Sequence, residues 1–235
     1  MQNISSICII PARGASKGVN RKNIRQLGGK PLIAWTIKTS LSCSSLQRII
    51  VSTDDLEIAN IAKEYGAEVP FLRPPELAKD STPDFPVYQH TISWLTEHEN
   101  FQPDIVVWLR PTSPLRSVED IKNAIDILVK SQADSVRSVC LSEHHPYWMK
   151  RLEGDRLIPF IDGFDERKFF RRQLLPPVYR LNGAVDVTWC QKVMETEQLF
   201  FGDIQGYVMP SERSIDIDTE LDFALAEVLL QRRKL

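Results

Sequence analysis

Four cysteines, ten glycines and four histidines in 235 residues leave little material for several common chemistries. Cys8, Cys43, Cys140 and Cys190 are widely spaced and form no C-x-x-C pair, and Cys8 and Cys140 sit inside apolar runs. They read as reduced packing residues of a cytoplasmic protein. The glycines make neither Gly-x-Gly-x-x-Gly after a strand nor Gly-x4-Gly-Lys-Ser/Thr, which argues against a dinucleotide-binding fold and a P-loop NTPase. No serine-nucleophile motif stands out. The adjacent pair His144-His145 would point opposite ways in extended chain, so a structural role is expected for it. No segment approaches the ~18 apolar residues of a membrane span, and no basic start leads into an apolar core, so neither secretion nor membrane insertion is expected. A net charge of −2 supplies no general attraction to nucleic acid, and any phosphate chemistry must be local. Internal repeats, low-complexity tracts and long linkers are lacking too.

What is present, 43% hydrophobic and 26% charged residues, suits one α/β domain spanning 1–235 with a small excursion. The chain is organised around residues 9–23. The apolar run Ile7-Cys8-Ile9-Ile10 predicts a buried first strand, and an amphipathic segment beginning near Pro31 predicts a helix. Between them lies a loop with Arg13, Lys17, Arg21 and Lys22, and with Gly14 and Gly18 to let a ligand approach the backbone. A polyanion, most simply a triphosphate, is the natural guest.

Further strands are predicted at 48–53, 67–72, 104–109, 134–140, 184–187 and 206–209, with helices at about 55–65, 85–99 and 118–130. Asp54-Asp55 and Ser117 supply helix caps, and Gly66 a stop. The 104–109 run is apolar throughout, the mark of a central strand buried on both faces. Strands and helices alternate at βαβ spacing, so the fold class is α/β with a doubly wound, mostly parallel sheet. From 143 to 177 the rhythm breaks into aromatic and basic residues, including Tyr147, Trp148, Phe160, Phe164, Phe169 and Phe170. That composition suits a protruding subdomain packed on a partner chain, and a homodimer is expected. A C-terminal helix starts near Thr219, with Leu221, Leu225, Val228 and Leu229 on one face.

Asp216 and Asp218 flank Ile217, so in extended chain both carboxylates point to one side, as Mg²⁺ requires beside substrate phosphates. Helix capping is the competing explanation for this pair. Arg171, Arg172 and Arg180 surround Pro176-Pro177, and guanidiniums fork onto carboxylates, so an acidic substrate is one reading and a surface cluster near a partner interface the other.

Taken together, these residues resemble the acylneuraminate cytidylyltransferase family, the CMP-sialic acid synthetases and their relatives acting on legionaminic-type acids. The motifs are Ile-Pro-Ala-Arg-Gly at 10–14 with Lys17-Gly18 and Arg21-Lys22-Asn23, Val-Ser-Thr-Asp-Asp at 51–55, and Pro-Phe-Leu-Arg-Pro at 70–74. They continue with Pro-Thr-Ser-Pro-Leu-Arg at 111–116, Glu-His-His-Pro at 143–146, Arg-Leu-Asn-Gly-Ala at 180–184 and Ser-Ile-Asp-Ile-Asp-Thr-Glu-Leu-Asp at 214–222. The resemblance implies a Rossmann-like fold of the nucleotide-diphospho-sugar transferase type. It also implies a reaction in which CTP and a nonulosonic sugar acid give the CMP-sugar acid and pyrophosphate, with Mg²⁺ as cofactor. Arg13, Lys17, Lys22 and Asn23 match the family's nucleotide loop, and Asp216 and Asp218 its metal aspartates. Lys150, Arg172, Arg180 and Asn182 fall where the family holds the sugar acid, and Lys22, Asp216 and Asp218 are the catalytic candidates. Two positions depart from the pattern. Arg110 stands where glutamine is common, near the sugar's tail, and Ser81-Thr82-Pro83-Asp84 replaces the usual small polar loop, leaving Asp84 as an acceptor for a cytosine amino group. An eight-carbon Kdo-like acid, a different nucleotide, and a non-catalytic nucleotide-binding relative are the alternative readings.

Overall fold

The structure, a computed structural model, describes residues 4–16, 18–163, 167 and 169–232. Lys17 and Phe164 lie outside the described residues. β1 (Ser6–Pro11) is buried from Ser6 to Ile10, and its side chains divide by the two-residue period of a strand. Cys8 and Ile10 join the larger core cluster on one face of the sheet, while Ile7 and Ile9 join a second cluster on the other. After the basic loop comes a small hairpin, β2 (Gln26–Leu27) and β3 (Lys30–Pro31). Its two-residue turn holds Gly28 and Gly29 at φ +58° and +85°, which side-chain-bearing residues seldom adopt. α1 (Leu32–Leu41) follows and buries Ile33 and Ile37 against the first cluster.

β4 (Arg48–Ser52) leads to α2 (Leu56–Glu64), whose N-cap Asp55 accepts from the Glu57 and Ile58 amides at 2.9 and 3.0 Å. The strand expected at 67–72 is reduced to an isolated bridge between Glu68 and Ile50, because Pro70 has no amide to continue a ladder. α3 (Asp84–Glu99) and α4 (Val118–Ser131) bracket β5 (Ile105–Trp108), and α4 opens with a reciprocal capping box between Ser117 and Asp120. β6 (Ser135–Leu141) then runs to the carboxyl edge of the sheet.

The 143–177 excursion forms outside the main sheet and contains a separate hairpin, β7 (Lys150–Glu153) and β8 (Arg156–Pro159). The chain returns from it as β9 (Tyr179–Trp189), then α5 (Cys190–Thr196), β10 (Ile204–Val208) and α6 (Glu220–Arg232). The order in the main sheet is β10-β6-β9-β5-β1-β4. β1 pairs in parallel with β4 and β5, and β10 with β6, but β9 is antiparallel to both its neighbours. Among the described residues no crossover helix joins β6 to β9 at the carboxyl edge, so the returning strand runs backwards.

α6 corrects one sequence expectation. Leu221, Leu225 and Val228 are exposed, and the buried face is Phe223, Ala226 and Leu230, which pack with Val19, Leu32, Leu115 and Ile217. The helix is apolar nearly all round. The large Phe223 ring, with the Arg25 guanidinium 4.3 Å above it, takes the core side.

Candidate active site

β1 continues on one side to β4 and its other flank pairs with β5, so the carboxyl ends of these three strands border a crevice at the point where strand order reverses. A cleft of about 400 Å³ opens there. Its walls come from the loop after β1, the 73–84 segment, the Arg110-Pro111-Thr112 turn after β5, and Asp218 from the far end of the chain.

Arg13, Lys22 and Asn23 line the cleft. Asn23 donates from Nδ2 to the Arg13 carbonyl at 2.9 Å and so fixes the loop's course, and Arg13 pairs with Asp80 at 2.7 Å. Gly14 donates its amide to Asp54 at 2.9 Å, and Gly18 packs directly on the Asp218 backbone. Arg21 is turned aside: it pairs with Asp55 at 2.8 Å and Glu57 at 2.5 Å, so the basic loop brings fewer cations to the cleft than its sequence suggests.

The Asp216–Asp218 segment is held from two directions. The Ile217 amide donates to the Thr112 carbonyl at 2.8 Å, and Lys22 Nζ donates to the Ile217 carbonyl at 2.6 Å and to Asp218 Oδ1 at 3.1 Å. Asp218 is largely exposed to the cleft, whereas Asp216 Oδ1 is buried with no hydrogen-bond partner. Burial is the main cause that raises the Asp216 pKa above the ordinary carboxylate range; a Thr112 hydrogen bond opposes it and the neighbouring Asp218 charge adds to it. An orphaned buried carboxylate oxygen beside a second carboxylate fits a hard divalent cation. No cluster of three His, Cys, Asp or Glu suited to a metal occurs among the described residues, so a cation here would rely on substrate oxygens for its remaining ligands.

Arg110 and Asp84 both line the cleft, but as partners. One guanidinium nitrogen of Arg110 reaches Asp84, and the other donates to Asp186 at 2.7 Å. Asp186 is 1% exposed and also accepts from Arg137 Nε at 3.2 Å. Burial alone would lower the Arg110 pKa, and the two aspartates reverse that, leaving it raised. The remaining sequence candidates stand away from this cleft. Asn182 is 1% exposed and its amide is fully engaged, Arg180 donates to the Ser214 carbonyl at 3.1 Å, and Arg172 lines a separate small pocket with His145 and Pro177. Lys150 sits half-buried on β7.

A family profile described as "Cytidylyltransferase" matches residues 7–182, about three quarters of the chain. The chain belongs to the cytidylyltransferase family. It is 35% identical to the CMP-N,N'-diacetyllegionaminic acid synthase of Legionella pneumophila subsp. pneumophila, over 96% of each chain. It is likewise 35% identical to the N-acylneuraminate cytidylyltransferase of Escherichia coli O18:K1:H7, covering 97% of this chain and 52% of that relative, so it spans about half of the longer protein. Among solved structures, a CMP:2-keto-3-deoxy-manno-octonic acid synthetase complexed with CTP superposes with a TM-score of 0.70, covering 98% of this chain and 100% of the other at 14% identity, a likeness of fold.

One cleft residue of this cytidylyltransferase, Arg73 in the 70–74 motif, was given no role from sequence. Arg73 is 5% exposed, donates from Nε to Ser52 Oγ at 3.1 Å and also reaches the Ser52 carbonyl. Burial pushes its pKa down to about 10, against the pull of the Asp54 and Asp84 charges nearby. In sequence it stood before Pro74-Pro75 and read as loop. The 70–74 motif contains it, but only the fold shows that it turns back onto Ser52 at the end of β4.

Proposed function

We propose that this cytidylyltransferase joins the CMP unit of CTP to a nonulosonic, sialic-acid-like sugar acid, releasing pyrophosphate. The names of its relatives support the substrate class, and the cleft supports the chemistry. The observation that carries the reading is the meeting of the two chain ends: Lys22 from the basic loop against Asp218, with the orphaned Asp216 oxygen beside it. Arg13, Lys22 and Arg73 offset the charge of the triphosphate, and Asn23 holds the loop that presents them. Lys17 is a further nucleotide contact by its place in the motif.

Asp216 and Asp218 are the residues that would hold Mg²⁺, which supplies Lewis-acid stabilisation of the phosphoryl oxygens when bound. In the transfer step the anomeric hydroxyl oxygen bonds to the α-phosphorus. The bond to the bridging oxygen breaks with its electron pair leaving on pyrophosphate, and the hydroxyl proton is released. The protein's part is positioning and charge stabilisation, with no covalent intermediate required. Asp84, paired with Arg110 through Oδ2, retains Oδ1 as an acceptor for the cytosine amino group, and Arg110 lies where it bears on the choice of sugar acid. Lys150 and Arg172 reach the sugar acid only if a second copy brings them there. A homodimer is supported by the exposed apolar side chains of the 143–177 excursion and its flank, among them Leu152, Leu157, Phe160 and Phe170. No helix of the described residues is long and apolar enough to cross a membrane, and a cytoplasmic enzyme is the reading we adopt.

The test is incubation with CTP, Mg²⁺ and a panel of nonulosonic acids, with pyrophosphate release as readout. Silence across the panel overturns the activity. Release with an eight-carbon acid alone overturns the substrate class.

A further inference from the structure

The pairing of β6 with β9 slips once. Val139 faces Leu181 and Arg137 faces Asp186, so Ser138 alone stands opposite residues 182, 183, 184 and 185. Such a bulge bends its strand and re-aims side chains, and bulges recur beside active sites. Here the bulge is filled by a buried polar chain. Ser138 Oγ accepts from the Val185 amide at 2.8 Å and donates to Asn182 Oδ1 at 2.5 Å, and Asn182 Oδ1 also accepts from the Ala184 amide at 3.2 Å. Asn182 Nδ2 donates to Ser214 Oγ at 2.9 Å and contacts Met209 Sδ at 3.4 Å. Ser214 is completely buried and donates in turn to the Pro210 carbonyl at 2.8 Å. Each member of the chain is satisfied, so the geometry of one dictates that of the next.

The chain ends two residues before Asp216. Gly183, at the crown of the bulge with φ +63°, lies against the same carboxylate: a Cβ there would stand 3.4 Å from Asp216 Oδ2. Arg180 holds the Ser214 carbonyl from the near side.

We infer that Asn182, through Ser214, is a positioning residue that mounts the Asp216–Asp218 pair on the sheet, and that it does not itself contact the sugar acid. Its amide has both donors and its oxygen committed inside the fold, which leaves nothing to offer a ligand. Ser138 sets Asn182, Asn182 sets Ser214, and Ser214 fixes where the orphaned Asp216 oxygen points. The inference rests on the proposed metal role of Asp216 and Asp218.

Mn²⁺ binding followed by electron paramagnetic resonance, with CTP present and no sugar acid, reads the mount directly and does not need turnover. Ser214→Ala and Asn182→Ala should each weaken Mn²⁺ binding by about 10–100-fold, the usual cost of losing a group that orients a metal ligand. Ser214→Thr, which keeps the hydroxyl, should recover it, and residual turnover of the variants should show an unchanged KM for the sugar acid. Ser214→Ala removes one hydroxyl and serves if Asn182→Ala does not fold. Wild-type Mn²⁺ affinity in the folded variants, or a rise in sugar-acid KM alone, overturns the inference. Failure of the wild-type protein to bind Mn²⁺ overturns the metal reading and this inference with it.

Discussion

Lys22 and Asp218, 196 positions apart in the chain, meet across the cleft at 3.1 Å, and the same ammonium holds the Ile217 carbonyl at 2.6 Å. The contact ties the phosphate-directed loop to the acidic segment, so one cation orders both. Asp218 is 74% exposed at its side chain and carries little of the core. Asp218→Asn should therefore lose turnover by at least about 100-fold while its melting temperature stays near the wild-type value. A folded variant that keeps most of its activity would remove Asp218 from the site.

Gly18 offers a steric test of the same junction. A Cβ at this position would stand 2.0 Å from the Asp218 carbonyl oxygen, and backbone on both sides leaves no flexible side chain to give way. Gly18→Ala should displace the acidic segment by about an ångström and cut kcat by about 100-fold, since misplacement on that scale has such effects. Gly206→Ala on β10, where an added Cβ would meet only Val139 Cγ2 at 3.8 Å, is the control and should keep its kcat. Equal activities would separate Gly18 from catalysis.

Arg110 is bound up with Asp186, which is 1% exposed. Arg110→Gln strips one of two cations from a buried carboxylate and should cost about 3 kcal/mol in urea unfolding, the low end for breaking a buried pair because Arg137 remains. Adding Asp186→Asn should recover much of that loss by removing the stranded charge. A single variant as stable as wild type would show that Asp186 is solvated in solution.

A pH prediction comes from Asp120, which is fully buried and accepts from Arg213 at 2.7 and 3.0 Å, from Tyr207 and from Ser117. Burial pushes its carboxyl up, but those partners outweigh it and leave the pKa lowered. The folded chain thus holds this proton less readily than the unfolded chain. The stability it contributes is complete above the ordinary unfolded value of about 3.9 and disappears as pH falls through the lowered folded value. Arg213→Gln should accordingly differ from wild type in unfolding free energy at neutral pH, with the gap closing in acid. A gap independent of pH would exclude the ion pair as its source.

Much of the fold was legible because local patterns carried it. The apolar run at 7–10, Asp55 and the Ser117 capping box each announce an element without help from elsewhere. The reversal of β9 was not, because strand direction is set by where the excursion leaves the sheet. The buried face of α6 was misread because Leu221 and Leu225 are as apolar as Phe223, and only tertiary contact chooses between them. In the site, Arg13, Lys22, Asn23, Asp84, Arg110 and Asp218 all reach one cleft. The pairing of Arg110 with Asp84 and Asp186, and the inward turn of Asn182, depend on contacts between distant segments that spacing cannot express.

Pyrophosphate release is the most direct measure of the central claim. With CTP, Mg²⁺ and a panel of nonulosonic acids, the account expects release that disappears on chelation, is far weaker with ATP, GTP or UTP, and is matched by formation of the CMP-sugar acid. Thermal stabilisation by CTP with no pyrophosphate from any member of the panel would contradict it and mark the chain as a nucleotide-binding relative without turnover.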